Sequence, residues 1–283
     1  MRTLITGAKG RLGSRLAERL NHSHEVTGID IDSVDFTDFQ AIRQTVRTLK
    51  PELVLHCGAM TAVDECALNP DEALRVNGYG TKNVALACLE VDAAMLYVST
   101  NEVFDGRNTG EISEYDPVHP INSYGYSKMV GEQVVRDHLR KFYIVRTSWL
   151  FAQGGNNFIH AILKRAREGQ PLRVVVNEVA VPTYNYDLAE AIIKLISTQQ
   201  YGIYHLVNAG RASRWAFARK VLDLAGFESL EIEKISAAEY ARPSTPPEYS
   251  VLKNSAAAAL GITLRPWQDA VQAYLQHEGL LIS

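Results

Sequence analysis

Tyr124 and Lys128 stand four residues apart in "NSYGYSKMVGE" (122–132), a helical spacing. At i and i+4 the two side chains share one helix face, about 5–6 Å apart at Cβ. A phenol with a pKa of about 10 is a poor acid at neutral pH, and a neighbouring ammonium favours the phenolate. Bringing it to neutrality takes on the order of 4 kcal/mol of differential interaction, within reach of a desolvated cation. A tyrosine tuned this way can hand a proton to a carbonyl oxygen while a hydride donor attacks the carbon. Tyr126 has no Lys or Arg four residues beyond it and is set aside. The Tyr–Lys spacing also occurs in helices without chemistry, so the pair takes its meaning from what accompanies it.

Two other stretches accompany it. "STNEVFDG" (99–106) follows the apolar run "AAMLYV" (93–98), which reads as a buried strand. It sets a hydroxyl pair, an amide and a carboxylate where a parallel sheet opens its cleft. "TGAKGRLG" (6–13) lies between a strand and a helix. Gly7, Gly10 and Gly13 suit a tight turn, close backbone approach to a pyrophosphate and tight helix–strand packing, with a helix N-terminus facing the phosphates. Asp30 closes the second strand, seventeen positions past Gly13, and would accept hydrogen bonds from an adenosine ribose. Together these predict a dinucleotide site. Lys9 and Arg11 could attract a 2′-phosphate or be solvated surface charge, so NADH and NADPH both stay open.

The elements that must position these residues alternate along the first half. Strands are expected at 2–6, 24–30, 51–59, 93–98 and 142–148, with helices at about 12–20, up to 49, 71–91 and 124–140. Continuous apolar strands spaced by helices imply βαβ units and a parallel sheet covered on both faces. The second half is less regular, with helices at 155–169 and 184–197 and strands at 172–176 and 202–208. "ARPSTPPEYS" (241–250) holds three prolines and reads as a long loop. No repeat, low-complexity tract or clean linker separates the parts.

Composition is ordinary for a globule of 283 residues, with 46% hydrophobic and 22% charged residues and net charge −3. A nucleic-acid binder would be basic and clustered, and no apolar run approaches the roughly 18 residues of a membrane helix. Cys57, Cys66 and Cys88 are odd in number and lack a CxxC spacing, fitting reduced thiols in a cytoplasmic protein better than disulfides or zinc. The opening "MRTLITGAKG" reads as strand and loop, with no apolar signal core.

The order of glycine triplet, acid, Ser/Thr-ended strand and Tyr-x-x-x-Lys resembles the extended short-chain dehydrogenase/reductases. One branch, the dTDP-4-dehydrorhamnose reductases, is resembled across nearly the whole chain. The segments are "CGAMTAVDECALNPDEALRVN" (57–77), "YVSTNEVFDG" (97–106), "PINSYGYSKMVGE" (120–132), "VRTSWLF" (145–151), "GNNF" (155–158), "VPTY" (181–184) and "ARP" (241–243). The resemblance implies a catalytic group of Thr100, Tyr124 and Lys128, with Lys128 also holding the nicotinamide ribose. It implies cofactor contacts from Gly10, Arg11, Leu12, Asp30, Asp35, Phe36, Ala59, Met60 and Thr61, and a substrate set including Thr100, Asn101, Glu102, Trp149, Asn157 and Arg242. Spacing alone leaves Trp149 as a site wall or a core aromatic. Arg242 stands as a diphosphate fork or a solvated loop residue.

Three departures from the family pattern qualify this. Asn101-Glu102 replaces Asp-Tyr. Related dehydratases carry Thr-Asp-Glu here, so Glu102 could serve as a base, yet Asn101 is an amide with no useful acidity; Glu102 could equally be a solvated acid. Ala180 in "NEVAVPT" (177–183) replaces a glycine. Arg15 occupies the place of a glutamate that binds magnesium at a dimer contact in some members, so no metal is expected there, and a homodimer of another kind is compatible.

The expected architecture is a doubly wound parallel sheet (Rossmann) over residues 1–147, with 185–207 returning to it. A smaller, interwoven lobe from 148–184 and 208–283 would bind the nucleotide sugar. The expected reaction is NADPH- or NADH-dependent reduction of the C4 ketone of a nucleotide-linked deoxy-ketosugar, most simply dTDP-4-dehydrorhamnose. Within enzymes the alternative is an epimerase or dehydratase with tightly held nicotinamide. Outside them it is a regulatory subunit like that of methionine adenosyltransferase, which resembles the same branch.

Overall fold

A computed structural model describes residues 1–154 and 157–281. The first half contains strand β1 (Arg2–Thr6), helix α1 (Arg11–Leu20), β2 (Glu25–Ile29), α2 (Phe39–Leu49), β3 (Leu53–His56), α3 (Val63–Leu68), α4 (Pro70–Leu74), α5 (Thr81–Glu90), β4 (Ala94–Thr100), α6 (Ser123–His138) and β5 (Phe142–Thr147). The second half adds β6 (Leu150–Phe151), α7 (Phe158–Arg167), β7 (Leu172–Val175), β8 (Val179–Ala180), β9 (Thr183–Tyr184), α8 (Asn185–Thr198), β10 (Gly202–His205), β11 (Ala212–Ser213), α9 (Arg214–Leu224), β12 (Ile232–Ile235), α10 (Ser255–Ala259) and α11 (Trp267–His277).

The main sheet has six strands in the order β10-β5-β4-β3-β1-β2, all parallel. Strand alternation sends Ile5, Leu55, Leu96 and Val145 to one face, where Leu12, Leu16 and Leu20 of α1 meet Leu188, Ile192 and Leu195 of α8. Leu4, Val54, Met95 and Ile144 go to the other face, against Ile42, Val84 and Val135. Both faces are therefore dry, which is why the strands read as unbroken apolar runs. The chain leaves β1 toward the α1 face and leaves β3 toward the α5 face. Their divergence opens a crevice at the strands' C-terminal ends.

A separate apolar cluster draws Ile159, Ile162 and Leu163 of α7 together with Phe217 and Val221 of α9 and Val271 and Tyr274 of α11. Beside it, β7 and β12 form a parallel pair. The strand β10 returns from this half of the chain to close the main sheet against β5.

Two expectations are corrected. The helix expected over 71–91 is broken: a wide π-type turn over Arg75–Gly80 separates α4 from α5. Such a turn adds a residue to the helical ladder and is often found at sites; here it carries the buried Asn77. The helix expected from 155 begins at Phe158, and residues 155–156 lie outside the described residues. The loop at 241–250 is irregular as expected, yet Ser244 and Ser250 within it are buried.

Candidate active site

The glycine loop has the shape its sequence promises. Gly7 adopts φ +67°, and a β-carbon there would fall 2.6 Å from the backbone nitrogen of Gly58. A β-carbon on Gly13 would fall 2.2 Å from the Gly7 carbonyl oxygen, so α1 packs against the loop only because that position is bare. Gly10 caps α1 with no side-chain hydrogen bond, and a helix N-terminus of this kind favours an anion. Arg11 and Leu12 form that first turn; Leu12 is buried, so only its backbone could serve a ligand.

Asp30 Oδ2 accepts from the Lys9 backbone N–H at 2.8 Å, binding the glycine loop to the end of β2. The Lys9 ammonium pairs with Asp32 in an exposed bridge, which places it among solvated rim charges. Asp35 accepts from the Thr37 N–H at 2.8 Å and its hydroxyl at 2.7 Å. Phe36 lies edge-on to His56, with ring centroids 4.9 Å apart. His56 bonds Thr6 and Thr81, and burial, aided by the Lys128 charge, lowers its pKa to about 3. Met60 is held at both backbone groups by Asn77, whose Oδ1 accepts at 2.8 Å and whose Nδ2 donates at 2.9 Å. Ala59 precedes it, and Thr61 is exposed just before α3. A cavity of about 570 Å³ is lined by Gly7, Gly10, Asp30, Phe36, Ala59 and Met60 among others. Bare backbone, an uncapped helix start and a ribose-competent acid around that space fit a dinucleotide.

Thr100 ends β4, and Asn122 caps α6 by accepting from the Gly125 N–H at 2.8 Å. This puts Tyr124 in the first turn and Lys128 one turn on. Ser127 donates to the Tyr124 carbonyl at 2.8 Å and accepts from Asn77 at 2.9 Å, so α6 and the Met60 loop share one network. The Lys128 ammonium lies 4.1 Å from the Tyr97 ring centroid. Burial lowers its pKa to about 7, opposed by the Glu132 charge.

The phenol does not behave as the spacing predicts. Burial pushes Tyr124 above its ordinary range, the Glu102 charge adds to this, and only the Thr100 hydroxyl acts the other way. Lys128 is itself desolvated, which disfavours its charged form and weakens its support of a phenolate. The direction of the shift keeps the proton on the Tyr124 phenol.

The proposed substrate residues separate into two groups. Asn101 turns its amide to Ser250 at 2.6 Å and accepts from Thr100 at 3.3 Å, tying the turn after β4 to the proline-rich loop. Asn157 caps α7 and bonds Ala152 and Tyr274, an organiser of the second apolar cluster. Arg242 is paired with Asp64 at 2.9 Å, which also accepts from Ser244. Glu102 is 8% exposed, so it is no solvated loop acid.

Trp149 holds φ +40°, a strained backbone for an indole. The Arg214 guanidinium stacks 3.6 Å above its ring and bonds the buried Glu178 at 3.3 Å. Arg214, Glu178 and Arg242 line a second cavity of about 520 Å³ with Phe158, Val174 and Tyr240. The sequence reading missed Arg214 and Glu178. No motif marks either; Arg214 is recognisable only as the first residue of α9 after its Ser213 cap.

Arg15 stacks 3.4 Å over Tyr186 and pairs with Glu18 at 2.8 Å. Among the described residues no cluster of three His, Cys, Asp or Glu side chains gathers as metal ligands. No helix among them is long and apolar enough to cross a membrane.

Residues 1–279 match the family model described as RmlD substrate binding domain. The chain belongs to this family. Among curated relatives, the spore coat polysaccharide biosynthesis protein SpsK of Bacillus subtilis is 37% identical, the alignment covering 97% of each chain. A crystal structure of a dTDP-4-dehydrorhamnose reductase from Clostridium acetobutylicum superposes with TM-score 0.94 at 35% identity, covering 99% of this chain and 100% of the other. That of the Bacillus anthracis dTDP-4-dehydrorhamnose reductase, solved with NADP, gives TM-score 0.94 at 34% identity over 98% and 99%. The family's fold thus extends over both the crevice and the second cavity.

Proposed function

We propose that this chain reduces the C4 ketone of dTDP-4-dehydrorhamnose to dTDP-rhamnose with NADPH or NADH. One observation carries the reading: the start of the helix that holds Tyr124 and Lys128 is hydrogen-bonded toward the dinucleotide cavity and toward the loop of Arg242, which lines the second cavity. Asn77 and Ser127 join it to the Met60 side of the dinucleotide crevice. On the other side, Asn122, the cap of the same helix, donates to the Glu102 carboxylate at 2.7 Å and to the Thr245 carbonyl at 3.1 Å, in the loop that carries Arg242. The likeness to reductases of known substrate supports the same assignment.

The dinucleotide would be held by the Gly7–Gly13 loop, Asp30, Asp35, Phe36 and the Ala59–Thr61 backbone, and when bound it supplies the hydride. Tyr124 donates its proton to the ketone oxygen, which Thr100 also hydrogen-bonds. Lys128 orients the nicotinamide ribose and, with a pKa of about 7, can reprotonate the phenolate. Residues 148–184 and 208–283 hold the nucleotide end, with Trp149, Arg214 and Arg242 at the diphosphate. The anchored diphosphate keeps the reacting carbon in register from a distance. The reaction runs in the cytoplasm, where the thiols of Cys57, Cys66 and Cys88 stay reduced.

Asn101 argues against dehydration as the activity, because its amide is committed to Ser250 and offers no acid. The test is nicotinamide oxidation with a panel of nucleotide-linked 4-ketosugars. Tyr124→Phe should lower kcat by about 10²–10⁴ while dinucleotide binding persists; a Phe variant as fast as its parent rejects the proton donor.

A further inference from the structure

Arg214 opens α9, and the residue it leans on is Glu178. The Arg214 N–H donates to the Glu178 carbonyl at 3.2 Å, beside the antiparallel pairing of Val179 with Ser213. Ser213 caps the helix by accepting from the Ala216 N–H at 3.0 Å, so the backbone from which the Arg214 side chain departs is fixed. Further out, the guanidinium lies 3.6 Å from the Trp149 ring centroid, and its Nε donates to Glu178 Oε2 at 3.3 Å. Trp149 presents that ring from a left-handed backbone (φ +40°), a conformation kept only where neighbours over-determine it. Stacking sets the plane of the guanidinium, and the Nε bond sets its rotation within that plane. That bond is the guanidinium's only hydrogen bond among the described residues. Both residues line the cavity of about 520 Å³, where Glu178 is 4% exposed.

We infer that Glu178 is a positioning residue: it aims the terminal nitrogens of Arg214 at a nucleoside diphosphate in this cavity, through the direction of one hydrogen bond. The inference rests on the nucleotide-sugar reading above. Charge alone gives the opposite expectation, because a carboxylate beside a phosphate site repels the anion. Geometry decides between the two. Without an acceptor at Nε the guanidinium keeps its stack on Trp149 but turns freely upon it. A two-pronged grip on phosphate needs both terminal nitrogens in register with the oxygens, so free rotation loses it. A neutral acceptor in the same place would direct Nε equally well, and it would add no repulsion. Glu178 therefore acts on the ligand through Arg214, and its removal matters only while the guanidinium is present.

Calorimetric titration of the full chain with dTDP, in the presence of NADP, reads the effect apart from hydride transfer. Glu178→Met, of similar length and without an oxygen acceptor, should weaken dTDP binding about tenfold. Glu178→Gln, which still accepts from Nε, should stay within about threefold of the parent. NADP affinity should hold in both, which separates the effect from general damage to the fold. In an Arg214→Met background, Glu178→Met should cause no further loss. Arg214→Lys keeps a point charge without the planar fork and should weaken dTDP as Glu178→Met does; this variant carries the test if Glu178→Met no longer binds NADP. The inference is overturned by a parent that does not bind dTDP, by a Glu178→Met or Arg214→Lys variant that binds it as tightly as the parent, by a Gln variant as weak as the Met variant, or by an equal loss in the Arg214→Met background. Absorbance assays with NADPH report reduction separately, so a chain that binds dTDP with this dependence yet reduces no ketosugar would keep the inference and reject the reductase reading.

Discussion

Gly125 lies so close to Glu102 that a β-carbon built on it would sit 2.0 Å from the Glu102 carbonyl oxygen. The bare position lets the helix that carries Tyr124 seat on the turn that carries Thr100. Gly125→Ala should displace the phenol and lower kcat on the order of tenfold to a hundredfold, since small misplacements of a reacting group have that effect. Dinucleotide binding measured by fluorescence titration should change little; a variant with parental kcat would refute the packing argument.

Asn77 holds Met60 by two backbone hydrogen bonds and Ser127 by a third. Asn77→Ala leaves buried partners unsatisfied, at about 1–3 kcal/mol of stability. Dinucleotide affinity should weaken roughly tenfold as the Met60 loop loosens. Calorimetric titration with NADPH decides this, and unchanged affinity would show that the loop needs no such clamp.

Glu132 and Arg146 form a buried ion pair at 2.7 Å, each side chain 3% exposed, with Ser99 donating to the same carboxylate at 2.6 Å. Glu132→Gln strands the guanidinium and should cost about 3–5 kcal/mol in urea denaturation. Replacing both residues with methionine should restore much of that loss, because no unpaired charge is left. A Gln variant within experimental error of the parent would contradict the pairing.

Lys128 has a folded pKa of about 7 against an ordinary 10.5. Between those values the unfolded chain binds the additional proton, so stability rises with pH through the window and levels off above it. Lys128→Met should abolish that rise. Urea titrations of parent and variant across the window would show parallel pH curves if the lysine were not desolvated.

The main sheet was legible because burial on both faces makes each strand an apolar run, and β1 is found at the residues the sequence predicts, 2–6. The glycine loop and the helix that places Tyr124 and Lys128 one turn apart were legible because both depend on local spacing, while Thr100 was singled out only by the family resemblance. Arg214 and Glu178 were not legible, because they meet each other and Trp149 only when α9 folds back against the chain after β5. The α9 helix itself left a signal in Phe217, Val221 and Leu222 at helical intervals. The rise in the Tyr124 pKa was hidden for another reason: spacing shows which charge is adjacent, while burial is a property of the whole fold.

The Asn101–Ser250 bond spans 149 residues, and β10 joins the sheet from far along the chain. During synthesis the amino-terminal half emerges first, at about 5–20 residues per second. The crevice for the dinucleotide can therefore assemble on the ribosome while the reaction centre still lacks its last tether, so a truncated chain ending before Ser250 would be a nucleotide binder and no catalyst.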